Sequence, residues 1–205
     1  KNRGTVNNIS RLNINSTVTE NPVTILNEIK GFYENLSKKD PDCTDRHIKD
    51  GSLKDETIPI LSGEEKESCE GDITVEELTQ ALNMLNNDSA PGSDGLSPVF
   101  YKHFWDKLKN HFHKCVQTMV EDGMLSFSMR NGIIRLLHKG KDLDRLNLSN
   151  YRTITLTNTD YKIITKALAR RLQTVIKTIV SEDQAGFVKG RNIATHLRQI
   201  DDIAY

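Results

Sequence analysis

Long apolar runs are missing from this sequence. No stretch approaches the roughly 20 residues that a membrane-spanning helix needs, and the opening residues, Lys1 to Asn8, lack the basic-then-apolar order of a secretory leader. A helical membrane protein and a secreted one are therefore not expected; an intracellular protein, nuclear or cytoplasmic, is. Cysteine is scarce as well. Cys43, Cys69 and Cys115 form an odd, scattered set, which argues against a disulfide framework and fits free thiols in a reducing compartment. Cys43 and His47 have no second cysteine pair at zinc-finger distance, and His111 and His113, two apart on a helix, diverge, so no zinc site is expected. Net charge is absent too, with 28 Lys and Arg against 28 Asp and Glu.

That zero hides an asymmetry. Residues 131–205 hold 13 Lys and Arg against 7 Asp and Glu, a net +6, which leaves 15 against 21 before them, a net −6. A basic final third behind an acidic leader points to phosphate partners for the later segment. With 36% hydrophobic and 27% charged residues the balance is that of a globular protein, so composition by itself names no activity. The chain opens on Lys1, and its last periodic segment runs to Tyr205 without Gly, Pro or a polar stop, which reads as a fragment.

Residues 1–22 are rich in Asn, Ser and Thr without a sustained period and read as a disordered or loose leader. Residues 23–72 read as a connector, with one helix that Pro22 opens and that carries Ile25, Ile29, Phe32 and Leu36 on a stripe, followed by an acidic linker from Ser37. From residue 73 to 205 the text is more ordered. Thr74 and Glu77 form a capping box ahead of Leu78, Leu82 and Leu85. Ala90-Pro91-Gly92-Ser93-Asp94-Gly95 is a loop, and Ser97-Pro98 starts a long helix with Tyr101, Phe104, Leu108, Cys115 and Met119 that Gly123 ends. Asn131–His138 predicts a strand entering a basic loop, with Tyr151–Leu156 returning as its partner. A helix over Ile163 to Ile179 follows, then a capping box from Ser181 to Gln184, and a last helix with Ile193, Leu197, Ile200 and Ala204. The fold class is helix-rich α+β, a small antiparallel sheet with flanking helices.

Lys139, Lys141 and Arg152 carry the most specific chemical signal. Two lysines on the loop after one strand and an arginine on the next can converge on a polyphosphate, since Arg offers a planar fork of donors and Lys a compact charge. The plain alternative is a set of solvated loop cations. Gly186, Gly190 and Arg191, within the segment Asp183 to Arg191, form a glycine-punctuated basic loop whose backbone and guanidinium suit a nucleic-acid phosphate or base; the alternative is a helix-connecting turn. Asp201-Asp202 resembles a metal-binding pair, but adjacent helical positions point about 100° apart, so helix-surface charge is the better reading. No other two carboxylates converge, and no metal is expected to be held by this chain.

Taken in order, Asn86 to Gly95, Phe100-Tyr101-Lys102-His103-Phe104-Trp105, Lys139-Gly140-Lys141-Asp142, Asn150 to Leu156, and Asp183-Gln184-Ala185-Gly186-Phe187-Val188-Lys189-Gly190-Arg191 resemble the reverse transcriptase domain of LINE-type (non-LTR) retrotransposons. The resemblance covers Ile73 to Tyr205, and more loosely the connector back to Val23. It implies the fingers and the start of the palm of a right-hand polymerase. Lys139 and Arg152 would grip the triphosphate of an incoming deoxynucleotide. Gln184, Gly186, Phe187, Gly190 and Arg191 would lie by the template and primer, and the loop with Pro91, Gly92, Asp94 and Gly95 would be structural and template-side. The partners implied are an RNA template, a DNA primer, deoxynucleoside triphosphates and the rest of the polymerase chain, with no membrane. The catalytic aspartates and their Mg²⁺ ions would belong to palm strands after Tyr205, leaving this part inactive alone. Thr153 and His138 stand where the family usually has Pro, and Ser89 where it has Lys, which implies a drifted element. A non-catalytic nucleic-acid or protein interaction module derived from such an element is the other expectation.

Overall fold

The computed structural model describes residues 9–38, 59–140, 143–181, 184–192 and 194. Among these are six α-helices and two small antiparallel sheets, an α+β chain. They divide into two compact units, one from residues 1–50 with 133–156 and the other from 51–132 with 157–205. Lys141, Asp142, Asp183, Arg198, Asp201 and Asp202, the predicted helix from Ile193 to Ala204, and Cys43 with His47 lie outside the described residues.

The first unit opens with a hairpin, β1 (Leu12–Ile14) and β2 (Thr17–Thr19), in register Leu12 to Thr19 and Ile14 to Thr17. Its two-residue turn holds both Asn15 (φ 49) and Ser16 (φ 67) in the left-handed region, the turn that matches strand twist. The loose reading of this leader misses that hairpin, because the three-residue strands Leu-Asn-Ile and Thr-Val-Thr are too short to show a period. Helix α1 (Pro22–Leu36) follows, capped by Asn21, whose Oδ1 accepts from the backbone N–H groups of Val23 (3.0 Å) and Thr24 (3.1 Å). Ile25, Ile29 and Phe32 join Leu12 and Leu148 in a small core, whereas Leu36, predicted on the same stripe, is exposed.

Strands β3 (Ile133–His138) and β4 (Tyr151–Leu156) pair antiparallel as predicted, with Ile133 opposite Leu156 and His138 opposite Tyr151. The connecting segment is held by its own polar groups. Asn150 Nδ2 donates to the Asp144 carbonyl at 2.9 Å, Tyr151 Oη to that of Arg145 at 2.8 Å, and the Asn13 N–H to that of Leu146 at 3.0 Å. Burial is the main cause that raises the Tyr151 phenol above its ordinary pKa.

The second unit is helical: α2 (Gly63–Cys69), α3 (Val75–Asn83), α4 (Pro98–Glu121), α5 (Phe127–Arg130) and α6 (Thr159–Ile179). Capping boxes open α2 (Ser62 with Glu65) and α3 (Thr74 with Glu77). Helix α2 falls in the stretch read as linker; it buries no residue, so no apolar stripe announced it. Leu78, Ala81 and Leu82 of α3, Tyr101, Trp105 and Val116 of α4, and Ile163, Ile164 and Ala167 of α6 share the core. The buried stripe of α4 keeps the predicted Tyr101, with Leu108 and Met119 packed against the core, and departs from the prediction at two positions. Trp105 and Val116 point inward while Phe104 and Cys115 are exposed, because Trp105 can both bury its ring and donate Nε1–H to Thr79 Oγ1 at 2.8 Å. His113 is likewise structural, its Nε2 2.8 Å from the Ile73 carbonyl oxygen.

Two devices fasten α6. Arg171 forms a two-pronged ion pair with Glu77, Nε to Oε1 at 2.6 Å and Nη2 to Oε2 at 2.7 Å, and donates to the carbonyls of Gly71 (2.7 Å) and Asp72 (2.6 Å). Hydrogen bonding to Arg171 is the largest cause holding the Glu77 carboxyl down at about 2. At the other end, the loop from Ala90 to Gly95 sits on the start of the helix. A Cβ on Gly92 would stand 2.6 Å from the Asn158 backbone N and 2.7 Å from the Thr157 carbonyl carbon, so only glycine fits. Buried Asn158 accepts from Ser93 Oγ and donates to the Ser128 carbonyl, Thr159 Oγ1 donates to the Leu96 carbonyl at 2.6 Å, and Lys162 Nζ to that of Ala90 at 2.8 Å. The structural half of the role expected for this loop has a physical basis in these contacts.

Candidate nucleic-acid interface

In the first unit the candidates stand on the β3–β4 hairpin. Directly opposed residues of an antiparallel pair project to the same face, and faces alternate along each strand. Arg152 is opposite Leu137, and Arg135 is opposite Ile154. The Lys139 N–H continues the ladder by donating to the Asn150 carbonyl at 2.8 Å. Arg135, Lys139 and Arg152 therefore share one face of the sheet. All three are exposed. Lys139 Nζ donates to the Ser149 carbonyl at 2.6 Å, which fixes the ammonium and leaves its remaining hydrogens free to reach a ligand. Neither Arg135 nor Arg152 forms an ion pair or a side-chain hydrogen bond with a described residue.

Lys139 and Arg152 are thus brought together, and Lys141 lies outside the described residues. Arg135 was missed, although its signal was legible: it stands four before Lys139 on a strand, and an even separation gives the same face. On the opposite face His138 packs edge-on against Tyr151 with ring centroids 5.1 Å apart, and its Nε2 is buried without a partner among the described residues. Burial also raises the pKa of Tyr33, with Tyr151 as a second cause.

In the second unit the loop after α6 presents a different arrangement. Arg191 turns inward: its Nη1 donates to the carbonyls of Ser181 and Gln184 (2.9 Å), and its Nη2 to that of Val180 (3.2 Å). The guanidinium thereby joins the carbonyl of Val180, the C-cap of α6, to two carbonyls of the loop beyond and closes that loop. Gln184 is also engaged within the loop, its Nε2 donating to the Gly186 carbonyl at 3.2 Å. Gly190 has φ +85, and the exposed Gly186 meets little but Gln184. Phe187 stands fully in solvent.

Among the described residues, no three His, Cys, Asp or Glu side chains come together as a metal seat, and no helix is long and apolar enough to cross a membrane.

No family model matches the chain. A curated relative does. Over 191 residues the chain is 36% identical to the Transposon TX1 uncharacterized 149 kDa protein of Xenopus laevis, a likeness covering 92% of this chain and 14% of that protein. The chain is thus related to a transposon-encoded protein, of whose length it spans 14%.

Proposed function

We propose that this chain is the nucleotide- and template-binding N-terminal part of an RNA-directed DNA polymerase of a non-LTR retrotransposon, its fingers with the start of the palm. The observation that carries the reading is the sheet face on which Arg135, Lys139 and Arg152 stand with no acidic partner among the described residues. Uncompensated cations at two-residue spacing raise the local positive potential and suit a polyphosphate or a strand of phosphates. Similarity to a transposon protein supports the context, and the ordered series of motifs from Asn86 to Arg191 supports the polymerase class.

In this reading Lys139 and Arg152 hold the triphosphate of an incoming deoxynucleotide as negative charge builds on its leaving group. Arg135 extends the same face toward a further phosphate. The described residues do not fit a two-metal centre, so Mg²⁺ would be held by carboxylates elsewhere in the polymerase chain, supplying activation of the primer hydroxyl.

Titration of the chain with a fluorescent deoxynucleoside triphosphate and with an RNA–DNA primer–template, each across a salt series, tests the proposal. Affinity should fall steeply with salt, and Arg152→Gln should weaken nucleotide binding about tenfold, the loss expected for one charge-assisted contact. Lys107→Gln, on an exposed stretch of α4, should leave it unchanged. Salt-independent affinity, or equal effects of the two substitutions, would refute the assignment.

A further inference from the structure

Lys139 is fixed by its own groups and by the peptide that follows it. Its N–H donates to the Asn150 carbonyl at 2.8 Å and its Nζ to that of Ser149 at 2.6 Å. The next peptide is held differently. The Gly140 N–H donates to Nδ1 of His138 at 3.4 Å, the one hydrogen bond of Gly140 among the described residues. Glycine has no side chain to anchor it, and nothing lies within 4 Å of where a Cβ on Gly140 would stand. The imidazole is therefore what ties the chain down just beyond the lysine.

The ring is itself held in place. It packs edge-on against Tyr151, centroids 5.1 Å apart, and the Tyr151 hydroxyl donates to the Arg145 carbonyl at 2.8 Å. A ring nitrogen that accepts a hydrogen bond carries no hydrogen, so the proton of the neutral imidazole sits on Nε2, which is buried without a partner among the described residues. A second proton goes to Nδ1. There it turns the acceptor into a donor facing the Gly140 N–H, and the bond is lost. Around the ring stands the phenol of Tyr151, coupled in turn to Tyr33, Asp144 and Arg145, and Lys139 follows along the chain. The one carboxylate in this group, Asp144, accepts the Leu146 N–H at 2.9 Å, and no described carboxylate forms an ion pair with the ring.

We infer that His138 is a positioning residue for phosphate capture: through Nδ1 its neutral imidazole holds the backbone after Lys139 and so sets where the Lys139 ammonium stands on the face it shares with Arg152. The inference rests on the triphosphate reading above and adds control of that site by protons. The tied loop needs the unprotonated ring, so the released loop binds more protons and acid favours release. Imidazoles change charge between about pH 5 and pH 8. Triphosphate affinity should fall about fivefold as pH is lowered through that interval, the factor carried by one ordinary hydrogen bond. Attraction of phosphate by the added charge alone would have the opposite sign.

The test titrates the 205-residue chain and two variants with the same fluorescent deoxynucleoside triphosphate from about pH 8 to pH 5. In His138→Asn the amide Oδ1 takes the place of Nδ1 as an acceptor that no proton removes in this range; His138→Phe keeps a ring for Tyr151 and has no acceptor. The ligand's phosphate titrates as well, and dividing every affinity by that of His138→Asn cancels it. The wild type should equal His138→Asn at the alkaline end and be about fivefold weaker at the acid end, while His138→Phe should be about fivefold weaker throughout. In the unbound chain the amide NMR shift of Gly140 should titrate together with the His138 ring. A flat ratio of wild type to His138→Asn, a wild type that gains on it in acid, or a Gly140 amide that ignores the ring would overturn the proposal. So would full alkaline affinity in His138→Phe, and the comparison with His138→Asn decides the matter if that variant does not fold. Where the ratio is flat while binding still depends on Arg152, this inference fails and the triphosphate reading stands; no triphosphate binding at any pH defeats both.

Discussion

The arginines of the two units differ in what they hold. In the hairpin unit, Arg135 and Arg152 project from a sheet face with no partner among the described residues. In the helical unit, Arg171 is committed to Glu77 and to the carbonyls of Gly71 and Asp72, and Arg191 to the carbonyls of Val180, Ser181 and Gln184. Both groups belong to the basic final third of the chain, and residue type does not separate them. Geometry does. A guanidinium facing backbone carbonyls of neighbouring loops is consumed by the fold, whereas one on a strand whose neighbours are Leu and Ile has only solvent or a ligand to meet.

The contrast breaks first, if it is wrong, at Arg171. Its side chain is 12% exposed, and Arg171→Ala should cost about 3 kcal/mol in urea denaturation, because Glu77 and two carbonyls lose their donors together. The same pair gives a pH signature. The carboxyl of Glu77 lies at about 2 in the folded chain against an ordinary 4.5; its contribution is complete above the ordinary value and is lost as pH falls from there toward 2. Denaturation midpoints followed from pH 6 to 2 should show that loss, and Glu77→Gln should flatten it. A smaller effect belongs to Arg191→Ala, about 1–2 kcal/mol, confined to residues 180–191 and visible as faster amide exchange there. Least is expected of Arg135→Gln and Arg152→Gln, within about 0.5 kcal/mol of the wild type. Were either to destabilise the chain as Arg171→Ala does, the hairpin face would be structural and the comparison would collapse.

Much of the fold was legible where local chemistry and burial agree. A short apolar run before a basic loop marked β3, alternating β-formers marked β4, the Thr74 and Glu77 pair marked the start of α3, and Gly123 with φ +62 closes α4 as expected. The misses are equally local. The β1–β2 hairpin has strands too short for periodicity, and α2 has a capping box without a buried face. In α4 two aromatic residues stand side by side, and the hydrogen bond from Trp105 to Thr79 decides which enters the core; a stripe drawn through Phe104 could not see that long-range partner. At the candidate sites, sequence singled out Lys139, Lys141 and Arg152 and passed over Arg135, although its even separation from Lys139 puts both on one strand face. It could not reveal that Arg191 faces inward while Phe187, four positions earlier, faces out.

Gly92 has a consequence for how relatives of this chain can be sorted. Because any side chain there would enter the space of Asn158 and Thr157, its loss disables the seat of α6 whatever has happened on the exposed face of the β3–β4 sheet. Transposon copies decay by random substitution, and most changes on an exposed face are silent for folding. A copy that has lost the exposed Arg152 can still be a folded protein, while a copy that has lost Gly92 is damaged as a protein. That single codon therefore marks which copies have lost the seat of α6 and, with it, the fold.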